Sequence, residues 1–166
     1  MTVKKMWEVE PFKYEDPVSG RKIIRLTDYL GHSNHLYFTD PCWIKSNEIF
    51  IFTSERENTS NLYSYDLNKS LITQLTYFQD QEGLRGVYSK VNEAHYFWYN
   101  NILYELDINS LDLTKLFKLE NSEFCPRKTL GVSADGRYVC IVIHKDKGPQ
   151  KPAISYAYSR FEELFE

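Results

Sequence analysis

Apolar positions in this chain come in short alternating runs, and a polar turn precedes each of the clearest ones. Three such units are Lys45-Ser-Asn-Glu-Ile-Phe-Ile-Phe52, Lys90-Val-Asn-Glu-Ala-His-Tyr-Phe-Trp98 and Ser133-Ala-Asp-Gly-Arg-Tyr-Val-Cys-Ile-Val-Ile143. Alternation with period two is the mark of a half-buried strand. Ile51, Phe97 and Ile141 recur at a spacing of about 45 residues, within the range of four-stranded propeller blades. The second half of each unit repeats as well. Asn61–Leu67 leads through Asn68, Lys69 and Ser70 into Leu71–Thr76, and Asn101–Ile108 leads through Asn109 and Ser110 into Leu111–Phe117. Both read as hairpins joined by polar turn residues. Asp135-Gly136 is a further hairpin signal.

The start of the chain matches the second half of a unit: Phe12–Asp16, the turn Pro17-Val-Ser-Gly20, and Arg21–Thr27. The fold class predicted is therefore all-β, a β-propeller of which the chain covers about two and a half blades. Residues 12–27 form the outer hairpin of a closing blade, 42–77 blade one, 85–118 blade two, and 128–166 an incomplete blade three. A propeller completed by both ends of its chain leaves no exposed sheet edge. Propellers usually need at least about four blades, so the pattern predicts a longer polypeptide. In the tail, Tyr158, Phe161 and Phe165 sit at helical spacing, which predicts one amphipathic turn.

Composition supports strands. Aromatic residues make up 16%, with 13 Tyr and 10 Phe against 2 Met, a mix that suits pleated, half-buried surfaces. The net charge of -3 is spread without a basic stripe, so no nucleic-acid partner is expected. Met1 to Met6 has no apolar run behind its lysines, and no stretch approaches a membrane span, so neither a leader nor a membrane partner is expected. Cys42, Cys125 and Cys140 are an odd count at unrelated spacings. Reduced thiols in a cytoplasmic protein are the simplest reading, with Cys140 in the core. Paired Cys or His at zinc spacing is missing from the sequence.

The densest polar constellation is Leu30-Gly-His-Ser-Asn-His-Leu-Tyr-Phe-Thr-Asp-Pro-Cys-Trp43. It reads as a loop between the first hairpin and blade one, reaching the central channel. His32, Asn34, His35 and Tyr37 can hydrogen-bond to hydroxyls and carboxylates; the alternative is a loop that caps the channel and satisfies its own backbone. Arg56, in the turn Thr53–Asn61, can grip a carboxylate bidentately, against the alternative of a solvated turn. Arg85, just before blade two, is either channel-facing or a surface charge. His95 reads as structural, His144 carries no supported role, and Lys145–Lys151 reads as a solvated loop. G-x-S-x-G is missing for a serine nucleophile, and Glu162 and Glu163 point apart on a helix, which excludes a glycosidase pair.

These residues resemble the oligogalacturonate lyase family. The resemblance rests on Ile24-Arg-Leu-Thr-Asp28, Gly31–Trp43 with its H-x-N-x-x-Y core at His32, Asn34 and Tyr37, and Phe50–Asn58. It extends through Tyr65-Asp-Leu67, Ile72–Thr76, Tyr96–Tyr99 and Leu103–Asp107, from about Phe12 to the Phe161–Phe165 segment. It implies a seven-bladed propeller in the bacterial cytoplasm that cleaves di- and oligogalacturonate from pectin by β-elimination. A base takes the C5 proton and the O4 group leaves. The neighbouring carboxylate opposes carbanion formation, and a divalent cation, manganese in this family, offsets that charge. The family's metal ligands and base lie in the second half of the propeller. The resemblance thus implies that this chain contributes no catalytic residue and no metal ligand, binds no manganese itself, and is inactive alone. Its substrate-binding candidates are His32, Asn34, His35, Tyr37, Arg56 and Arg85. Two other readings are a non-catalytic propeller that binds a sugar or protein, and a peptidase-associated propeller. Unpaired strands at both ends predict self-association.

Overall fold

The computed structural model describes residues 5–45, 47–80, 83–120 and 123–145, and the backbone of 154–159. It is all-β, as the alternation predicts, with one 3-10 turn at Arg56–Asn58. Among the described residues no helix is long and apolar enough to cross a membrane. The chain divides into two units, Met1–His35 with Trp43–Gly83, and Leu36–Cys42 with Leu84–Glu166.

The first unit contains β1 (Met6–Glu8), β2 (Phe12–Glu15), β3 (Lys22–Arg25), β4 (Ser33–His35), β5 (Trp43–Ile44), β6 (Ile49–Ser54), β7 (Asn61–Asp66) and β8 (Leu71–Gln74). Six of these form one sheet in the order β1-β8-β7-β6-β4, with β5 also paired to β6. Period-two alternation gives this sheet an aromatic face. Trp43, Phe50, Tyr65, Ile72 and Trp7 lie opposite one another in register across five strands. Phe50 stacks on Tyr65 at 5.7 Å, and Phe52 meets Tyr63 at 5.8 Å. Each such cross-strand pair contributes about 0.2–1 kcal/mol. Val9 and Leu26 pack on the cluster that Phe52, Tyr63, Tyr65 and Ile72 form.

The polar end of this sheet is closed by the side chain of Asn61, which is fully buried. Its Oδ1 accepts from the Thr76 hydroxyl at 2.9 Å and from the Phe78 N–H at 2.8 Å, while its Nδ2 donates to the Phe78 carbonyl. Thr76 Oγ1 in turn accepts from the Leu62 N–H. A carboxamide with both ends engaged can be buried without a desolvation penalty. The β2–β3 hairpin is a separate two-stranded sheet, and its turn is held by Asp16, which accepts from the Ser19 N–H and hydroxyl.

The second unit contains β9 (Gly86–Ser89), β10 (Ala94–Tyr99), β11 (Ile102–Asp107), β12 (Leu113–Lys118), β13 (Phe124–Val132), β14 (Tyr138–Lys145) and β15 (Ile154–Ser159). They make a four-stranded sheet, β12-β11-β10-β9, and a three-stranded one, β13-β14-β15. Asn100 and Asn101 turn the β10–β11 hairpin with φ of 47° and 58°, as a two-residue primed turn requires. Val87, Ala94, Tyr96, Trp98 and Leu103 pack against Leu130, Val139, Ile141 and Ile143 in a single core. The Asn92 side chain links the two sheets, donating to Tyr96 Oη and to the Gly136 carbonyl at 2.9 Å each. Gly136 has φ +73°, and a Cβ there would fall 2.4 Å from Asn92 Oδ1.

Three expectations are corrected. Ile154–Ser159 is a strand paired to β14 where a helical turn was predicted; Phe161 and Phe165 lie outside the described residues. Cys140 is exposed rather than in the core, because Val139, Ile141 and Ile143 take the inward positions of β14 and send it outward. Ser33–His35, read as part of a loop, is a strand.

Gly86 and His95 generate predictions. A Cβ at Gly86 would meet the Tyr96 carbonyl oxygen at 2.1 Å and Phe97 Cβ at 2.8 Å. Gly86→Ala is expected to cost about 2 kcal/mol or more through overpacking, read as a lower urea midpoint. His95 is fully buried with neither ring nitrogen hydrogen-bonded, and that burial pushes its ionisation down from 6.5 to about 3. The folded protein keeps His95 neutral, whereas the unfolded chain takes up a proton below about 6.5. Stability is therefore full above that value and falls as pH drops toward 3, with a limiting slope of about 1.4 kcal/mol per pH unit for this one group. Urea titrations between pH 7.5 and 4 should show this slope, and His95→Leu should flatten it.

Candidate functional site

The polar run after Gly31 is shaped by β6, the strand it joins. Ser33, Asn34 and His35 pair with Ser54, Thr53 and Phe52. The ladder is backed by a 3.0 Å contact between the Ser33 and Ser54 hydroxyls and by Thr53 Oγ1 donating to the Asn34 carbonyl at 3.3 Å. The Glu55 N–H donates to the His32 carbonyl at 2.9 Å. Backbone pairing thus fixes the path of His32–His35 while the side chains of His32, Asn34 and His35 stay exposed. Alternation along β4 sends Asn34 to one face and His35 to the other. Their polar groups therefore do not converge on a single point.

After His35 the chain leaves the sheet for Leu36–Cys42 and returns to the same strand as β5. The inner strand beside β6 is split in two by this excursion. Within it the Asp40 N–H donates to the Tyr37 carbonyl at 2.8 Å, and the exposed rings of Tyr37 and Phe38 lie 4.5 Å apart. Asp40 holds its proton more tightly than an ordinary carboxylate because it is partly buried; the Thr39 hydroxyl and the Arg85 charge oppose that shift. Arg85 is itself exposed. Tyr37, Asp40 and Arg85 thus belong together in the second unit. Sequence reasoning missed Asp40, whose signal was only its place ahead of Pro41.

Arg56 is 5% exposed. Its guanidinium lies over the Tyr29 ring at 4.5 Å and the Trp7 ring at 5.4 Å, and its Nη2 donates to Thr27 Oγ1 at 2.8 Å. Its Nε has no hydrogen-bond partner. Burial lowers its pKa, while Tyr63, Tyr29 and Asp28 favour the charge; a guanidinium keeps its proton regardless. The turn that carries it has Glu57 and Asn58 at φ 58° and 59°. It is pinned where the Glu57 N–H donates to Tyr29 Oη at 3.0 Å and where Lys5 pairs with the Glu57 carboxylate. No local pattern marks Trp7 and Tyr29 as its partners, because both are remote along the chain.

An open cleft of about 490 Å³ lies beside this turn, lined by Asp28, Tyr29, Leu30, Gly31, Glu55 and Asn58. Its two carboxylates disfavour an anionic ligand. Among the described residues no three His, Cys, Asp or Glu gather as ligands for a metal ion. His144 lies near the end of β14 opposite Cys125, and Lys145 pairs with Glu123 at 2.6 Å; 146–150 lie outside the described residues.

Removing the buried cation tests its structural share. Arg56→Ala is expected to lower stability by about 2 kcal/mol, through lost ring contacts and an orphaned Thr27 hydroxyl. Arg56→Lys should recover little of this, since an ammonium does not stack on two rings as a guanidinium does. Urea denaturation of both variants reads the effect.

The comparisons with known proteins agree with one another. A family model described as oligogalacturonate lyase matches residues 1–165. The oligogalacturonate lyase of Dickeya dadantii (strain 3937) is 29% identical over 109 residues, which are 64% of this chain and 28% of that protein. The matched stretch is thus a little over a quarter of the curated relative's length. A solved oligogalacturonate lyase in complex with manganese superposes with TM-score 0.79 at 20% identity, over 89% of this chain and 39% of that one. The oligogalacturonate lyase of Vibrio parahaemolyticus gives 0.78 at 18% identity with the same coverage. At that identity the two structures speak to the fold alone, which is that of a β-propeller.

Proposed function

Because this chain belongs to the oligogalacturonate lyase family, we propose that it forms the amino-terminal arc of a cytoplasmic propeller enzyme that cleaves di- and oligogalacturonate by β-elimination. The observation that carries the reading is the family match over residues 1–165. Cys42, Cys125 and Cys140 form no disulfide, in keeping with a reducing compartment.

In this reaction a base removes the proton on C5 of the uronate, and the C4–O4 bond breaks to leave an unsaturated sugar. Manganese was bound to a solved relative. The described residues here do not gather a ligand set for such an ion, so no step of this chain's chemistry runs through it. What this arc offers is binding and orientation of an anionic sugar. His32, Asn34, His35 and Tyr37 present exposed donors and acceptors, and Arg85 presents an exposed charge suited to a carboxylate. Arg56 takes a different part: enclosed by Trp7, Tyr29 and Thr27, it is a positioning residue. Its turn includes the Glu55 N–H that holds His32, so it sets where β4 begins.

The experiment follows the absorbance of the unsaturated uronate when digalacturonate and manganese are added to the 166-residue chain and, separately, to a family-length protein carrying it. The longer protein is expected to turn over and the 166 residues alone are not. His32→Ala with Asn34→Ala in the longer protein should lower kcat/KM about tenfold, the effect of losing one or two hydrogen bonds, with the fold intact by circular dichroism. A longer protein that gives no product would overturn the lyase reading. Binding of the sugar without turnover would favour a non-catalytic module, and turnover by the 166 residues alone would place the chemistry in this arc.

A further inference from the structure

β4 and β6 pair in register as Ser33–Ser54, Asn34–Thr53 and His35–Phe52. One step on, the Glu55 N–H donates to the His32 carbonyl at 2.9 Å, which keeps the same register. The facing segment then turns away. Glu57 has φ 58° and ψ 29°, and Asn58 has φ 59°, the left-handed region that residues other than glycine populate sparsely. The Glu57 N–H is nevertheless engaged, because it donates to Tyr29 Oη at 3.0 Å. A phenol oxygen thus takes the place of a backbone carbonyl, and a side chain carries the pairing of the two segments beyond the ladder itself.

Gly31 lets the ring reach the turn. A Cβ at that position would lie 2.9 Å from Tyr29 Cε1 and 3.1 Å from the Glu55 carbonyl oxygen, so the Tyr29 ring folds back across a backbone that carries no side chain. The same ring faces the Arg56 guanidinium at 4.5 Å. From the other direction, Lys5 pairs with the Glu57 carboxylate and Trp7 lies 5.4 Å from the Arg56 guanidinium. Left-handed backbone of this kind persists where its surroundings over-determine it, and such places cluster at ligand clamps. The glycine has a drawback as well. It is the most permissive residue of all and directly precedes His32, so the direction in which the His32 imidazole leaves the chain depends on the restraints on either side of Gly31. One is the bond from Glu55 to the His32 carbonyl; the other is the Tyr29 hydroxyl.

We propose that Tyr29 is a positioning residue for sugar binding: its hydroxyl anchors residues 29–32 to the turn Glu55–Asn58 and so fixes where the His32 imidazole is presented. For what His32 binds, this rests on the lyase reading above. The ring of Tyr29 serves the enclosure of Arg56, and the hydroxyl serves His32, so the two roles separate in a Tyr29→Phe variant.

The test uses a family-length protein carrying this chain, with two measurements on Tyr29→Phe. In the first, KM for digalacturonate in the presence of manganese is expected to rise about fivefold, the size of one neutral hydrogen bond, with kcat within about twofold. A purely structural role would move the urea midpoint and leave KM alone. In the second, the ring-proton resonance of His32 in histidine-labelled protein, assigned by its loss in His32→Gln, is expected to shift without any sugar present. Gly31→Ala, which crowds both the Tyr29 ring and the Glu55 carbonyl, should move KM and the resonance as well. Turnover by the parent with KM unchanged in Tyr29→Phe would overturn the proposal and leave the lyase reading standing. If the parent yields no product the lyase reading falls, and the resonance alone then judges the anchor: a shift supports it and an unmoved signal overturns it.

Discussion

The structure depends on burying the face of one sheet against the face of another. In the second unit this is explicit: Val87, Ala94, Tyr96, Trp98 and Leu103 press on Leu130, Val139, Ile141 and Ile143, and every residue of β10 from Ala94 to Trp98 is buried. A strand buried on both faces loses the polar half of its alternation. It also cannot tolerate bulk where the backbones come close, which is why Gly86 sits opposite Phe97. Within each unit taken separately, polar side chains are enclosed in one of two ways. Asn61 and Asn92 have carboxamides that tie a strand to a turn or one sheet to the next. His95 is enclosed with neither ring nitrogen hydrogen-bonded, its ring 5.9 Å from that of Phe97; it stays neutral, and a further cost appears in acid.

The exposed candidate residues sit where the chain leaves regular pairing. β4 holds Asn34 and His35 on a backbone ladder with β6, the Glu55 N–H holds the His32 carbonyl, and the segment Leu36–Cys42, with Tyr37 and Asp40, belongs to the second unit. The division of labour is physical. Main-chain bonds and the Arg56 clasp over Tyr29 fix the segment, which leaves the polar side chains in solvent and available to a ligand. The clasp is made from an arginine held by two rings and one hydroxyl.

Much of this was readable in the sequence where alternation was strong. The pairs β6–β7 and β10–β11, with their aromatic and branched residues, announced themselves, and so did the recurrence that made the fold a propeller. The failures have definite causes. Ser33–His35 is polar at every position, so no hydrophobic period marks it as a strand. Met6–Glu8 is only three residues long, and its partner β8 lies far along the chain. Tyr156 and Tyr158 fit period two as well as Tyr158, Phe161 and Phe165 fit a helix, and pairing to β14 decided the matter for Ile154–Ser159. The enclosure of Arg56 needed Trp7 and Tyr29 to be brought to it by folding, and no local pattern encodes that. The family resemblance was visible in the run from His32 to Trp43, yet those residues lie on two faces of one strand and in two units.

The strand at Met6–Glu8 has a consequence for the order of events during synthesis. It is synthesised well before its partner Leu71–Thr73, which lies in the last strand of the first sheet to appear. Until then Trp7 has no Tyr63 to rest on and the Arg56 guanidinium lacks one of its two rings. Met6–Glu8 must wait for the outer strand that receives it, and this long-range closure is the step expected to set the pace of folding for the first unit.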